Sequence, residues 1–143
     1  MSLNGVLSAI TSHPEYLRHM ATASTSVAPP RIAVRQGARP GYIGALWRHQ
    51  GGPLLVITPR PEDARRLHDQ LLTYVGEGEQ VYLLPEPEVL PFERLSVDAN
   101  TSNQRLAALA ALASSSAHRG GEDPPHPLIV ASVGAALIKT LPL

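Results

Sequence analysis

The sequence predicts an α/β fold in which helices flank a parallel β-sheet. Three apolar runs support this prediction: Leu54–Thr58, Val81–Leu84 and residues 128–133. Each run is short and nearly continuous, as is typical of strands that are covered on both faces in a parallel sheet. Helical patterns lie between the runs, and alternating strands and helices give parallel sheets with crossover connections.

Residues 1–34 predict a helical segment that leads into the sheet. Apolar residues recur at helical spacing between positions 6 and 20, with an interruption near Pro14, so we expect two short helices. Residues 21–30 are rich in Ser, Thr, Ala and Pro and predict a loop, and residues 31–34 predict a short strand. We therefore divide the chain into a helical segment with its loop over residues 1–30 and an incomplete α/β domain over residues 31–143.

The middle of the chain contains the clearest helix. Residues 37–44 predict a glycine-bearing turn, and a short helix from Gly44 to Gln50 precedes the first strand. After that strand, we place Pro59 and Pro61 in the first turn of an amphipathic helix, whose apolar residues recur at helical spacing as far as Val75.

The last third of the chain predicts two more helices. Thr101 and Gln104 match a capping box. The apolar stripe of the helix that they begin consists of Leu106, Leu109 and Leu112. Residues 113–127 predict a polar loop, and residues 134–141 a final helix. The resulting sheet leaves an apolar edge strand uncovered, which proteins normally avoid. We therefore expect the chain to be truncated, or to need a partner that completes its sheet.

Composition narrows the classes of function. The 143 residues contain twelve basic and twelve acidic side chains, no cysteine, and six histidines without paired metal spacing. This excludes a disulfide scaffold and a thiolate metal site, and we predict no metal site of another kind. Aromatic residues are few, and no apolar run approaches the roughly 20 residues of a membrane span. We expect a cytoplasmic chain without a membrane partner.

Several strings resemble the N-terminal region of bacterial transcription-repair coupling factors. The most specific is LPEPEVLPFERLS at residues 84–96, and PLLVITP at 53–59, QRLAAL at 104–109 and IVASV at 129–133 accompany it. The same region is similar to the first domain of excision-nuclease component B, which recognises DNA damage. The resemblance implies part of a helicase-like domain of the RecA-like, P-loop-NTPase type.

The resemblance also implies what the parent protein does. Coupling factors displace stalled RNA polymerase and recruit nucleotide-excision repair. Their ATP- and magnesium-dependent DNA translocase and their surfaces for RNA polymerase and excision-nuclease component A lie mainly in segments that follow this region. We therefore expect no cofactor for this chain and, as its direct partner, the rest of the parent chain.

A working phosphate loop has the pattern G-x-x-x-x-G-K-[ST], because backbone amides cradle the phosphates, lysine contacts them and the hydroxyl holds magnesium. Residues 36–44 are the corresponding stretch. They supply Gly37, Arg39, Gly41 and Gly44 but no lysine, serine or threonine, and Pro40 removes a backbone donor. No acidic pair follows an apolar strand to bind magnesium. The sequence predicts a degenerate phosphate loop without catalytic residues.

Phe92, Glu93 and Arg94 form a second candidate site on a proline-fixed loop. They suit either a docking surface or an internal brace between the loop and the following helix, and we favour the brace.

Other groups have simpler explanations than a site. Glu86, Glu88 and Glu93 could be paired acids for hydrolysis, but a solvated loop explains them better. Ser132 lacks the glycines of a nucleophile elbow. The remaining group is a basic cluster at a helix start, typical of a solvated face: Arg60, Arg65 and Arg66.

Three functional hypotheses follow. The first is a non-catalytic structural and interaction module like that of a coupling factor. The second is a repair domain like that of component B, with residual ATP affinity, against which the missing lysine and hydroxyl argue. The third is a free-standing α/β regulatory domain whose resemblance is only architectural.

Overall fold

A computed structural model describes residues 3–25, 31–76, 78, 80–87, 98–117 and 126–138. The helices are α1 (Asn4–Thr11), α2 (Pro14–Thr25), α3 (Arg39–Gln50), α4 (Pro61–Val75), α5 (Ala99–Ala117) and α6 (Val133–Leu137), and a 3₁₀ turn covers Gln36–Ala38. The strands are β1 (Leu54–Thr58), β2 (Val81–Leu84) and β3 (Leu128–Ser132). The predicted fold class is confirmed, because these strands form a parallel sheet flanked by helices, as in part of a RecA-like fold.

Strand β3 is the centre of the sheet. The strand order is β1-β3-β2, and both neighbours run parallel to β3. Leu55 and Tyr82 both pair with Ile129, so the three side chains lie on one face of the sheet. All five residues of β3 are buried, which explains why the first four, residues 128–131, are an unbroken apolar run in the sequence.

Strand β1 is not covered on both faces, so that part of the prediction is wrong. Leu55 and Ile57 are 49% and 53% exposed. On their face of the sheet, α5 packs through Ala108 against the β2 and β3 side chains and leaves the β1 side chains outside this cluster. The uncovered edge strand that the sequence predicts is therefore present in the described part of the sheet.

The chain divides into two compact units. A helical unit comprises Met1–Gly51 and Gln70–Glu79, and a sheet unit comprises Gly52–Asp69 and Gln80–Leu143. The core of the helical unit contains Leu7, Tyr16, Ala45, Trp47, Leu71 and Val75. The domain boundary predicted after residue 30 stays a prediction, since compact units do not test where independently folding domains meet.

Three predictions before the first strand are wrong. Helix α2 continues to Thr25 through the first part of the predicted loop. Residues 31–35 belong to no strand of the described sheet. Helix α3 begins at Arg39 instead of Gly44, because Pro40 lies in its first turn, where a proline is tolerated. The helix ends as predicted, at Gly51, whose φ is 57°.

Helix α5 also differs from its prediction. Its first turn is capped by Asp98, whose carboxylate accepts a hydrogen bond from the Thr101 backbone N–H at 3.1 Å, so the predicted capping box is wrong. The helix continues to Ala117, into the predicted polar loop. Leu106 is 65% exposed, whereas Ala108 is fully buried. Leu109 and Leu112 pack on the core as predicted.

The last strand is close to its predicted position, but the last helix ends at Leu137, so its predicted continuation is wrong at Ile138, whose backbone is extended. Val133, predicted as the end of the strand, is the first residue of α6, because the Ser132 side chain caps that helix. Within the described part of the chain, no helix has the length and apolarity needed to cross a membrane.

Candidate functional site

The four residues predicted as a degenerate phosphate loop lie in the helical unit. Gly37 is in the 3₁₀ turn, and Arg39, Gly41 and Gly44 are in α3, so the predicted turn is helical. A phosphate loop joins a strand to the helix that follows it. Here residues 31–35 precede the stretch and are not a strand of the described sheet. The assignment of these residues to a former phosphate loop stays a prediction.

Gly41 and Gly44 have a packing role in α3. A Cβ atom on Gly41 would lie 3.1 Å from both Ile10 Cδ1 and Tyr74 Cε1. On Gly44 it would lie 3.3 Å from Leu7 Cδ2 and 3.4 Å from Val75 Cγ1. These distances are tight for carbon atoms in a packed core. The two glycines therefore allow α3 to approach α1 and the end of α4 closely.

Arg39 borders an open cavity in the same unit. The cavity has a volume of about 580 Å³, and it is lined by Ile32, Ala33, Val34, Arg35, Arg39, Tyr42 and Ile43. Arg39 Nε donates a hydrogen bond to the Val34 carbonyl oxygen at 3.3 Å. This bond attaches residues 31–35 to the first turn of α3. Arg35 and Arg39 are both exposed.

Tyr42 also contacts Tyr16, in an edge-to-face pair whose ring centroids are 5.5 Å apart. Both hydroxyl oxygens are buried without a hydrogen-bond partner among the described residues. Burial, with a smaller effect of the neighbouring Tyr42, raises the pKa of Tyr16 to about 12. Burial also raises the pKa of Tyr42. Both phenols therefore stay protonated at neutral pH.

Polar side chains of the sheet unit meet where the parallel strands end. Ser132 Oγ, at the end of β3, donates a hydrogen bond to Glu86 Oε1, two residues after β2. The Ala135 backbone N–H donates to the same Ser132 oxygen at 3.1 Å. Thr58, at the end of β1, places its hydroxyl 3.3 Å from the Ala131 carbonyl oxygen. Parallel α/β sheets bind ligands at this edge, but here the hydroxyls are engaged within the chain.

Gly134 makes the pairing of Glu86 with Ser132 possible. A Cβ atom on Gly134 would collide with the Glu86 carboxylate. Arg105 Nη1 donates to the Pro85 carbonyl oxygen at 2.6 Å, which fixes the residue before Glu86 against α5. The result is a carboxylate at the edge where a nucleotide phosphate would lie, and like charges repel each other there.

Sequence reasoning missed this arrangement, because it considered Glu86 only beside other acids and Ser132 only as a nucleophile. The available signal was a polar residue at or just after the end of each strand, since the carboxyl ends of parallel strands meet at one edge of the sheet.

The connection between β1 and α4 has the strand-to-helix position of a phosphate loop. It consists of Pro59 and Arg60 alone. Two residues are too few to wrap around a phosphate, and the connection contains neither glycine nor lysine. Arg60 is exposed at this point.

The remaining predicted groups form no second site among the described residues. Phe92, Glu93 and Arg94 lie outside the described residues, so their role as a docking surface or a brace stays a prediction. Arg66 pairs with Asp63 at 3.0 Å on the exposed face of α4. No group of three histidine, aspartate or glutamate side chains in the described chain could hold a metal ion.

Two curated proteins are similar to most of this chain. They come from Mycobacterium bovis and Mycobacterium tuberculosis, and both are named transcription-repair-coupling factor. Each is 34% identical over 133 residues, which confirms the resemblance seen in the sequence. The match covers 93% of this chain, but the chain spans only about 10% of the length of these relatives. No family model matches the chain, and no solved structure matches it.

Proposed function

We propose that this chain is a non-catalytic structural and interaction module of a protein that couples transcription to DNA repair. The coupling role rests on the similarity to two transcription-repair-coupling factors over 93% of the chain. The absence of catalysis rests on the chain's own residues. The module would pack against the remainder of its parent protein in the cytoplasm.

The observation that carries this proposal is the two-residue connection between β1 and α4. A phosphate loop needs successive backbone amides, and Pro59 has none to offer. Arg60 supplies a charge, but a guanidinium does not reproduce a lysine beside a magnesium-binding hydroxyl. The Glu86 carboxylate at the same edge of the sheet further disfavours a polyphosphate.

The partners of the parent protein are proposed for segments other than this one. By resemblance, RNA polymerase, DNA and excision-nuclease component A bind mainly elsewhere in the parent, where ATP and magnesium also act. This module would contribute by packing, holding the neighbouring surface for component A and restraining the distant motor.

The first test is a thermal melt followed by the fluorescence of Trp47, with and without millimolar magnesium-ATP. Trp47 is buried in the helical unit and is the only tryptophan of the chain, so its emission reports unfolding. A ligand at about 100 times its dissociation constant stabilises a protein by about 2.7 kcal/mol, an easily measured shift. We expect ATP to leave the melting temperature unchanged.

An increase in melting temperature with ATP would overturn the proposal in favour of a nucleotide-binding domain. Two variants would then locate the nucleotide. Arg39→Ala removes the cation of the predicted phosphate loop, and Arg60→Ala removes that of the β1–α4 connection. Loss of the shift in one variant and not in the other identifies which of the two stretches binds phosphate.

A further inference from the structure

Residues 31–35 lie next to a cavity, belong to no helix or strand, and pair with no strand of the described sheet. Their exposure alternates: Ile32 and Val34 are partly buried, whereas Arg31, Ala33 and Arg35 are exposed. This alternation is the pattern of a strand with one covered face. The segment is bound to α3 through a side chain, by the hydrogen bond from Arg39 to the Val34 carbonyl oxygen. Among the described residues, no β-strand forms backbone hydrogen bonds with residues 31–35.

The cavity beside this segment combines apolar walls with a cationic rim. Ile32, Val34 and Ile43 supply apolar surface, and Tyr42 supplies an aromatic wall. Arg35 and Arg39 lie at the rim, and both are exposed. The volume of about 580 Å³ is in the range of cavities that hold small ligands or side chains of a partner. We call this site the arginine groove; it consists of Ile32, Ala33, Val34, Arg35, Arg39, Tyr42 and Ile43.

The part of the sequence that contains the groove is rich in arginine. Residues 1–51 contain five arginines and a single acidic residue, Glu15, and residues 70–79 of the same unit add Glu77 and Glu79. Glu15 is already paired with Arg18, at 2.8 Å on α2. In the described part of the chain, Arg31, Arg35 and Arg39 have no acidic partner. The groove therefore favours a ligand that brings carboxylates or phosphates.

We propose that the arginine groove binds an extended acidic peptide, which adds a strand along residues 31–34. The backbone of the peptide would form hydrogen bonds with the backbone of residues 31–34. One apolar side chain of the peptide would enter the cavity, and its carboxylates would contact Arg35 and Arg39. This inference deepens the proposed interaction role and rests on it. The partner is defined by its chemistry, a segment in which acidic and apolar residues alternate.

The groove suits a peptide better than a nucleic acid. Single-stranded nucleic acids stack their bases on exposed aromatic rings. The aromatic ring of the groove, Tyr42, is already packed edge-on against Tyr16. The partly buried Ile32 and Val34 alternate with exposed residues that include Arg31 and Arg35, which matches the side-chain period of a strand instead.

The test uses the 143-residue chain and a fluorescein-labelled pentapeptide, Glu-Val-Asp-Leu-Glu, in an anisotropy titration. We expect saturable binding that weakens as salt is added, because carboxylate-guanidinium contacts near the surface are screened. Arg35→Glu should weaken binding about tenfold or more. Arg18→Glu is the matched control, since Arg18 is an exposed arginine of the same unit outside the groove, and it should bind as the unmodified chain does.

A second pair of probes tests the strand pairing. Peptides N-methylated on one edge lose the backbone donors of that edge and retain every side chain. Methylation of one edge should abolish binding, and methylation of the other edge should be tolerated. Equal binding of both methylated peptides would overturn the added strand.

Other results would overturn the groove as a peptide site. These are no binding to the unmodified chain at millimolar peptide, equal effects of Arg35→Glu and Arg18→Glu, or stronger binding of oligothymidine or ATP than of the peptide at the groove. If the peptide does not bind and magnesium-ATP leaves the melting temperature unchanged, only the proposal that the groove binds a peptide is refuted. A shift with ATP would refute the proposed function itself.

Discussion

At the scale of single residues, the role of a residue in this chain depends on its neighbours in space. Gly41 and Gly44 belong to a stretch whose glycines resemble a phosphate loop in the sequence. In the structure both glycines lie inside α3, where they let other helices approach. Glycine serves both in closely packed helices and in phosphate-binding loops. The spacing of glycines in the sequence therefore could not separate the two explanations.

Gly44→Val tests the packing role. The added side chain would meet Leu7 and Val75, which are both buried and have little room to move. We expect the free energy of unfolding to fall by about 2 kcal/mol, as is usual for overpacking. Urea denaturation measures this change. Gly5→Val in α1, where a Cβ meets nothing within 4 Å, is the control and should change stability by less than about 0.5 kcal/mol. Equal effects of the two variants would contradict the packing role.

The raised pKa of Tyr16 leads us to expect a loss of stability at alkaline pH. Its pKa is about 12 in the folded chain and 10.0 when unperturbed, so the folded state holds the proton more strongly. The stability from this group is complete below pH 10.0 and is lost as pH rises toward about 12. Melting temperatures between neutral and alkaline pH measure the loss.

The variant Tyr16→Phe is the control for this prediction. It removes a buried hydroxyl that lacks a hydrogen-bond partner in the described structure, so stability at neutral pH should fall little or rise. The alkaline decline should be shallower than in the unmodified chain. An equally steep decline in the Phe variant would show that other groups cause it.

At the scale of elements, the interiors of helices and strands are easier to predict than their ends. Strands β1 and β2 have the predicted bounds, and α4 ends at Val75 as its pattern indicates. Its predicted first turn is wrong at Pro59, which precedes the helix. The start of α5 is different, because both Asp98 and Thr101 are residue types that cap helices. The sequence does not decide which of the two residues caps the helix, because capping also requires a non-helical backbone at the capping residue, and the residue type alone does not set that backbone.

Asp98→Ala tests which residue caps α5. The Asp98 carboxylate satisfies the Thr101 backbone N–H, so its loss should destabilise the chain by about 1 kcal/mol. Thermal or urea denaturation detects a change of this size. Gln104→Ala removes the other member of the predicted capping box and should have little effect. The opposite order of the two effects would restore the capping box at Thr101.

At the scale of the whole molecule, stability should be concentrated in β3. Each residue of this strand is buried, and the strand pairs with a neighbour on both edges. Amide groups of a central buried strand open only when much of the structure opens. Hydrogen exchange should therefore be slowest in β3 and faster in β1, whose Leu55 and Ile57 are exposed. Slower exchange in β1 than in β3 would mean that a partner covers β1 in solution.

The sequence by itself determined the α/β class, the three strands and the similarity to coupling factors. These depend on local composition and on the period of the apolar residues, and both are properties of the sequence that do not depend on tertiary contacts. It also showed that residues 36–44 contain no lysine, because that is a matter of residue type.

Only the tertiary structure decided the strand order, the exposed face of β1, the packing of Gly41 and Gly44, and the pairing of Glu86 with Ser132. Each depends on residues that are distant in the chain and adjacent in space. Glu86 and Ser132 are 46 positions apart, and they meet because β2 and β3 are neighbours in the sheet. A pattern with a period of two or of 3.6 residues carries no information about which strands become neighbours.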